Sequence, residues 1–188
     1  MTDTERYGDV AATFGLTTSR FDDGPAAWQV RLVSWPDDSE PNEDDVLVDA
    51  IVYRAFVDQN WFDRFDSVDQ DLASVAEDLL DRDLIERLDE ESAVANAISI
   101  IYSVEVREDA RGRKLSHELV RALTRVFGND IIALQPSRAA VTSDGEIVED
   151  QVKHRALLKH WREVGFIEIP GTDSMLLPLS ARLAELEG

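Results

Sequence analysis

Residues 104–119, VEVREDARGRKLSHEL, contain the transition from a strand to a helix on which the fold prediction depends. Its first residues alternate between apolar and charged, as at the end of a strand, and its last residues begin an amphipathic helix predicted over Leu115–Phe127 and ended by Gly128. The unpaired N–H groups and the positive dipole end of a helix N-terminus favour phosphates. Gly112, in the loop between strand and helix, allows a ligand to approach the backbone closely. The stretch therefore predicts an anion-binding loop ahead of a helix.

This loop is basic in a chain that is otherwise strongly acidic. The chain has 39 Asp and Glu against 19 Lys and Arg, a net charge of −20, yet positions 107–114 hold four basic residues and only two acidic ones. Pairing of these bases with neighbouring acids is the alternative to ligand binding. The scattered acids favour a heavily solvated surface, as in a salty cytoplasm, over an acidic decoy for a basic or nucleic-acid-binding partner. Such a field repels nucleic acid and anionic membranes, so neither is expected as a partner.

Composition excludes several kinds of chemistry. The chain has no cysteine, which excludes disulfides, thiolate metal sites and a cysteine nucleophile. Its three histidines, His117, His154 and His160, do not have the spacing of a metal site. No apolar run approaches the ~18 residues that span a bilayer, and the N-terminus lacks the pattern of a secretory signal. A cytoplasmic protein is expected.

Periodicity predicts the remaining elements. Strands are predicted over 26–35, 46–57, 93–106, 131–134, 166–169 and 175–179, and helices over 67–80, 83–88, 115–127 and 149–164. Ser67 is expected to cap the first helix. Residues 1–25 are polar and contain three glycines, which predicts a loose N-terminal arm. Residues 36–45 and 137–148 are predicted as polar surface loops.

Arg111-Gly112-Arg113-Lys114-Leu115-Ser116 resembles a signature of the GNAT superfamily, the Gcn5-related N-acetyltransferases. That signature is a strand, then Arg/Gln-x-x-Gly-x-Gly/Ala, then a helix whose amides hold the diphosphate of acetyl-CoA. In this chain, lysine stands at 114 where glycine is usual, and serine stands at 116 where glycine or alanine is usual. Residues 160–166 (HWREVGF) are similar to the second family signature, and the resemblance covers residues 93–180.

The resemblance implies an α/β (α+β) fold with a mixed, mostly antiparallel central sheet flanked by helices, in one domain over residues 1–188. It also implies transfer of an acetyl group from acetyl-CoA to an amine, by direct attack in a ternary complex and without a metal. A cationic small-molecule or protein amine suits the acidic surface. The oligomeric state is left open, a dimer included.

The resemblance also implies the site residues. The residues expected at acetyl-CoA are Val104, Val106, Arg111, Gly112, Arg113, Lys114, Leu115, Ser116 and Trp161. The strand at 104–106 is expected to separate from the strand beginning at Ile131 and to bind the pantetheine arm through its backbone. Glu105 is a candidate base acting through water, although an ordinary surface glutamate fits as well. Tyr102 is a candidate proton donor or a packing residue, because tryptophan stands at 161 where many members have the tyrosine that protonates CoA.

Two other functions remain open at this point. The departures at 114, 116 and 161 fit a catalytically weak or inactive GNAT-like protein that binds CoA or serves as a regulatory interaction module. An acidic interaction decoy would require the basic loop to be incidental.

Overall fold

The computed structural model describes residues 3–7, 10–17, 24–34, 42–57, 60–88, 95–141, 144 and 146–179. The strands are β1 (Asp3–Tyr7), β2 (Val10–Thr17), β3 (Ala26–Ser34), β4 (Val46–Phe56), β5 (Ala97–Val106), β6 (Ile131–Leu134), β7 (Ala139–Val141), β8 (Ile147–Glu149), β9 (Ile167–Glu168) and β10 (Met175–Leu177). The α-helices are α1 (Trp61–Asp66), α2 (Gln70–Asp78), α3 (Arg82–Leu88), α4 (Leu115–Phe127) and α5 (Gln151–Val164).

Eight strands form one sheet in the order β1-β2-β3-β4-β5-β6-β10-β9, and β7 and β8 form a separate hairpin. Every neighbouring pair in the large sheet is antiparallel except β5 and β6, which are parallel and connected through α4. The predicted fold class, a mixed and mostly antiparallel sheet flanked by helices, is confirmed. The predicted strand β6 and helix α4 have the observed bounds.

Helices cover the sheet on two faces, and each face has its own apolar cluster. Helices α4 and α5 pack over alternate residues of β2–β5 such as Val30, Val48 and Val52. Helices α1–α3 pack on the opposite face over Ala55 and Ile98. Because side chains alternate along a strand, each β4 or β5 residue can be assigned to one of these faces.

Strands β5 and β6 pair over only four residues and then separate. Residues Ile98–Ile101 pair with Ile131–Leu134, and the remainder of β5 has no pairing with β6. The register of β5 against β4 also shifts here, leaving Tyr102 as an extra residue between two paired positions. A bulge of this kind bends its strand. The separation expected at 104–106 is therefore confirmed.

A buried ion pair fixes the opposite end of these strands. Both carboxylate oxygens of Asp130 accept hydrogen bonds from Arg54 at 2.6 and 3.0 Å, and Ser99 donates another at 2.7 Å. Asp130 is only 3% exposed. A bidentate pair in such surroundings holds β4, β5 and the start of β6 in register, so the strands can part only at the end where β6 stops.

The prediction of a loose arm over residues 1–25 is wrong for the described part of that segment. Residues 3–7 and 10–17 are strands of the sheet, and Ala11, Ala12 and Phe14 are buried. The small residues and Gly15 give this segment little of the side-chain propensity that indicates a strand. Its eight-residue pairing with β3 makes it a strand instead.

Other local predictions also need correction. The predicted loop 137–148 contains the β7–β8 hairpin, held by three paired positions. The cap of α2 is Asp69, whose carboxylate accepts from Leu72 N–H at 2.9 Å, not Ser67. Tyr102, for which packing was one of the two predicted roles, is 40% exposed. Trp35 and residues 93–94 lie outside the described residues.

Candidate functional site

Helix α4 begins with backbone groups that its own N-cap residue leaves uncapped. Lys114 occupies the N-cap position and makes no side-chain hydrogen bond to the first turn. It also adopts a left-handed conformation, with φ of 57°, and Gly112 has φ of 79°. Two left-handed residues within three positions make the chain turn sharply before the helix, so that the first N–H groups of α4 are presented at its open end.

The backbone conformation of Lys114 bears on the lysine that stands at position 114, where glycine is usual in the signature. Glycine adopts positive φ at little cost, whereas a residue with a Cβ is strained there by about 1 kcal/mol. Lys114 therefore keeps the backbone shape that glycine would supply and adds an ammonium group. Strain of this kind is typical of functional sites.

The basic residues of the loop differ in their contacts. Arg107 is engaged with protein groups, since its guanidinium donates to Asp109 at 2.6 Å and to the Asp44 carbonyl at 2.5 Å. Among the described residues, the Arg111 side chain makes a single long contact, 3.4 Å from Nε to the Val106 carbonyl. Arg107 thus fits the pairing alternative, whereas Arg111 stays close to the open strand.

A cavity of about 400 Å³ opens in front of α4, and we call it the α4 cavity. Its polar walls come from Arg111, Gly112, Lys114, Ser116, His117 and His160. Glu163 is the one carboxylate among its lining residues, and it lies 3.9 Å from the Lys159 ammonium. Arg113 is exposed and does not line this cavity. The cavity therefore combines cations with the start of a helix, a combination suited to phosphate.

The backbone of β5 offers hydrogen-bonding groups beside this cavity. Arg107 N–H donates to the Leu47 carbonyl on β4 at 2.9 Å. Because successive residues of a strand point their backbone groups to opposite sides, those of Val104 and Val106 point away from β4, into the space that β6 leaves. This is the arrangement expected for binding an extended pantetheine chain by strand addition.

A second cavity, the gap cavity, occupies that space, with a volume of about 280 Å³. It shares Val104, Leu157 and Trp161 with the α4 cavity. Trp161 is 7% exposed and packs edge-on against Phe166. The indole therefore forms a rigid apolar wall between two cavities, and it is fixed by the core rather than free to take part in proton transfer.

A third cavity of about 470 Å³ lies beyond the gap, next to α2, and we call it the α2 cavity. It shares Ile101, Tyr102, Gln135, Pro136 and Ser137 with the gap cavity. Its charged lining residues are Asp71, Arg138 and Asp173. Arg138 is paired with Asp173 and lies 3.8 Å from Glu149. Among the described residues, no cationic partner is found for Asp71, so the cavity keeps an acidic side.

The three cavities adjoin, and together they form a groove that crosses the sheet. The α4 cavity lies on the face covered by α4 and α5, whereas the α2 cavity includes Leu72 and Val75 from the helix on the other face. A ligand can pass from one face to the other because β5 and β6 are separated beyond Ile101. The loop predicted to bind an anion, residues 111–116, thus lies at one end of this groove.

Tyr102 lies where the gap cavity meets the α2 cavity. A hydrogen bond to the Asp69 carboxylate, helped by desolvation and by the charge of Asp71, raises the pKa of Tyr102 to about 12. Its ring also packs edge-on against Tyr53. The phenol therefore stays protonated at neutral pH, as a proton donor must.

Glu105 lies away from the groove. It alternates with Val104 and Val106, so its side chain points to the opposite face, where its register partner is Asp49. Asp49 there accepts hydrogen bonds from Gln29 and Arg31. Glu105 does not line any of the three cavities. The structure thus brings Tyr102 to the groove but not the carboxylate of Glu105.

Sequence reasoning missed the acidic residues of the α2 cavity and the partner of Ser116. Asp69, the partner of Tyr102, had a sequence signal, since an aspartate three residues before the first apolar residue of a helical stripe, Leu72, is a typical N-cap. The hydrogen bond between His160 and Ser116, at 2.8 Å, joins residues 44 positions apart. Such long-range pairs have no local sequence pattern.

Within the part of the chain that the structure describes, no group of three or more His, Asp or Glu side chains is placed to hold a metal ion. None of the described helices is long and apolar enough to cross a bilayer.

Comparisons with known proteins add two similar folds. No family model and no curated protein sequence matches this chain. An agmatine N-acetyltransferase variant in its apo form is similar over 80% of this chain and 73% of its own, with 10% identity and a TM-score of 0.38. The polyamine N-acetyltransferase of Drosophila melanogaster is similar over 80% and 71%, with 9% identity and a TM-score of 0.37. Since both TM-scores are below 0.5, neither likeness assigns a function to this chain.

Proposed function

We propose that this protein is an N-acyltransferase that transfers an acetyl group from acetyl-CoA to a cationic amine. The observation that carries the proposal is the groove, which joins a basic cavity at the start of α4, an open strand edge and an acidic cavity beside α2. A ligand with a diphosphate, an amide-bearing arm and a reactive end fits these three parts in that order.

The donor end is assigned to the α4 cavity. The N–H groups at the start of α4, with Arg111 and Lys114, would hold the diphosphate of acetyl-CoA. Main-chain groups of Val104 and Val106 would pair with the amides of the pantetheine arm, and Trp161 would cover its apolar part. The thioester would then reach the junction beside Tyr102.

The acceptor is assigned to the α2 cavity. Asp71 would attract the positive charge of the amine, since a carboxylate beside a cleft favours a cation. The amine loses a proton to solvent or to a nearby base and attacks the thioester carbonyl as the neutral species. A bond from nitrogen to carbon forms, and the carbon–sulfur bond breaks.

The leaving thiolate needs a proton, and Tyr102 is the titratable side chain best placed to supply it. Its raised pKa keeps the proton available but makes the transfer unfavourable unless the proton is replaced at once. The ammonium that forms on the attacking nitrogen, in the adjoining cavity, can replace it. Positioning of the two substrates supplies much of the remaining rate.

The experiment that tests this function has two readouts on the full chain. Thermal unfolding with and without acetyl-CoA detects binding, because a ligand at about 100 times its Kd stabilises the folded state by about 2.7 kcal/mol. Release of free CoA thiol over a panel of primary amines, neutral and cationic, detects transfer. We expect a higher midpoint with acetyl-CoA and thiol release that depends on a cationic amine.

The two readouts separate the alternatives. A higher midpoint without thiol release from any amine would indicate a CoA-binding module without catalysis. An unchanged midpoint at millimolar acetyl-CoA would overturn the proposed function and leave the interaction decoy.

A further inference from the structure

A serine and a histidine meet inside the α4 cavity, where the proposed diphosphate would bind. Ser116, in the first turn of α4, has its hydroxyl oxygen 2.8 Å from Nε2 of His160 on α5. Ser116 is 5% exposed and His160 is half-buried. The signature glycine or alanine at position 116 has no side chain that could make this contact.

We propose that His160 controls diphosphate binding through the Ser116 hydroxyl: the neutral ring accepts a hydrogen bond from the hydroxyl, whereas the protonated ring donates one to the hydroxyl oxygen and leaves the hydroxyl free to donate to the ligand. This inference rests on the proposed function, because it assigns a regulatory role within the same anion site.

The argument follows from the number of donors in each state. A serine hydroxyl has one proton, and a neutral imidazole with its proton on Nδ1 accepts that proton at Nε2. An imidazolium carries protons on both nitrogens and can only donate. For a neutral ring with its proton on Nδ1, protonation of His160 therefore reverses the hydrogen bond, so that the Ser116 oxygen accepts from the ring. The hydroxyl proton is then free to be donated to a phosphate oxygen in the cavity.

The charged surroundings of His160 set the direction of the pH effect. Burial, and then the charge of His117 on the facing helix, lower the pKa of His160, while Glu163 on its own helix opposes them. Arg111 and Lys114 line the same cavity and add positive charge. The ring is therefore neutral at pH 7 in the free protein, and a bound diphosphate raises its pKa.

The rise in the pKa of His160 on diphosphate binding determines whether binding tightens or weakens as the pH falls. A ligand that raises the pKa of a group binds more tightly to the protonated form, and by reciprocity protonation strengthens binding. The gain in affinity is complete below the pKa of the free protein and is lost above the pKa of the complex. Diphosphate binding should therefore tighten as the pH falls below 7.

The test uses dephospho-CoA, because its diphosphate does not titrate between pH 5.5 and 8, whereas the 3′-phosphate of CoA does. Calorimetric titration of the wild-type chain should show a Kd about tenfold lower at pH 5.5 than at pH 8, the gain expected from one charge-assisted hydrogen bond. His160→Gln and Ser116→Ala should both bind with little pH dependence. His154→Gln, on α5 but outside the cavity lining, is the matched control and should keep the wild-type slope.

Each outcome has a distinct meaning. If Ser116→Ala keeps the full slope while His160→Gln loses it, the imidazolium acts by charge alone and the relay is overturned. If His117→Gln loses the slope instead, the wrong histidine has been assigned. A Kd that does not change with pH in the wild type overturns this inference only, whereas no binding at any pH overturns the proposed function with it.

A second measurement does not depend on the variants. The pKa of His160, followed by NMR of its ring protons, should lie below 6.5 in the free protein and rise when dephospho-CoA is added. A pKa that stays the same on binding would contradict the inference.

Discussion

The α4 cavity and the α2 cavity are two ends of one groove, yet their charges are opposite. At the α4 end, Arg111 and Lys114 stand beside uncapped helix amides. At the α2 end, Asp71 has no cationic partner among the described residues, and Arg138 is occupied by Asp173. In a chain with a net charge of −20, the basic end is the exception and the acidic end is an extension of the general surface.

Because their charges are opposite, the two ends attract their ligands in different ways. The basic end can select an anion only because its cations and backbone donors are concentrated at one point, where they outweigh the field of the rest of the molecule. The acidic end attracts a cation through the field of the whole surface, so this attraction depends little on individual residues. The donor should therefore depend on a few residues, and the acceptor on the overall field.

The largest effect is expected at the junction between the two ends. Tyr102→Phe removes the hydroxyl proposed to protonate the leaving thiolate, and general-acid catalysis contributes about 100-fold or more. We expect kcat to fall by roughly that factor with the Kd of acetyl-CoA unchanged, measured by steady-state thiol release and calorimetry. Tyr53→Phe, the neighbouring ring, is the matched control.

The pH profile checks the same assignment. A donor must keep its proton, and with a pKa of about 12 Tyr102 loses it only in strongly alkaline solution. Activity should therefore not decline between pH 8 and pH 10 through loss of this proton. A wild-type kcat in Tyr102→Phe would show that solvent supplies the proton.

The second-largest effect is expected from substitutions at the basic end. Replacing Arg111 and Lys114 together by alanine removes two charge-assisted contacts to phosphate, at a combined cost of about 2 kcal/mol, or roughly a 30-fold rise in the Kd of CoA. Arg155→Ala removes one exposed charge from α5 outside the groove lining and should leave the Kd unchanged. Equal losses in both variants would mean that net charge, rather than these two residues, governs binding.

A smaller effect is expected at the acidic end. Asp71→Asn removes one exposed carboxylate, worth about 1 kcal/mol or roughly a fivefold rise in the KM of a cationic amine. The KM of acetyl-CoA should not change. Asp66→Asn on α1 removes the same charge away from the groove. A KM that is raised equally by both substitutions would assign amine attraction to the general field alone.

The smallest effect tests the backbone of the basic end. Lys114→Gly relieves a left-handed residue of about 1 kcal/mol of strain, whereas Lys114→Ala keeps the strain while losing the same ammonium group. The glycine variant should therefore be the more stable of the two, by about 2–4 °C in Tm. Equal Tm values would contradict the left-handed conformation.

The sequence predicted one half of the molecule better than the other. Helix α4 and strand β6 have the predicted bounds, because their apolar periodicity is strong and Gly128 marks a clear end. Strand β2 was missed, because Ala11, Ala12 and Gly15 have low strand propensity and only pairing with β3 makes the strand. Local patterns determine the first case, and tertiary pairing determines the second.

The candidate site divides in the same way. The basic loop was predictable, since Arg111–Ser116 lie within six consecutive residues of a recognisable pattern. The α2 cavity was not, because Asp71, Tyr102 and Asp173 are far apart in sequence and meet only after the sheet has formed. Glu105 was proposed from its position on the strand, and strand alternation turns it to the opposite face.

A crystal structure of the protein with bound CoA would show where the diphosphate and the pantetheine arm bind. We predict that the diphosphate oxygens lie within hydrogen-bonding distance of the backbone nitrogens between Gly112 and Ser116, with the pantetheine arm beside Val104 and Val106. A diphosphate bound elsewhere, or an α4 cavity left empty at saturating CoA, would contradict the assignment of this groove to acyl transfer.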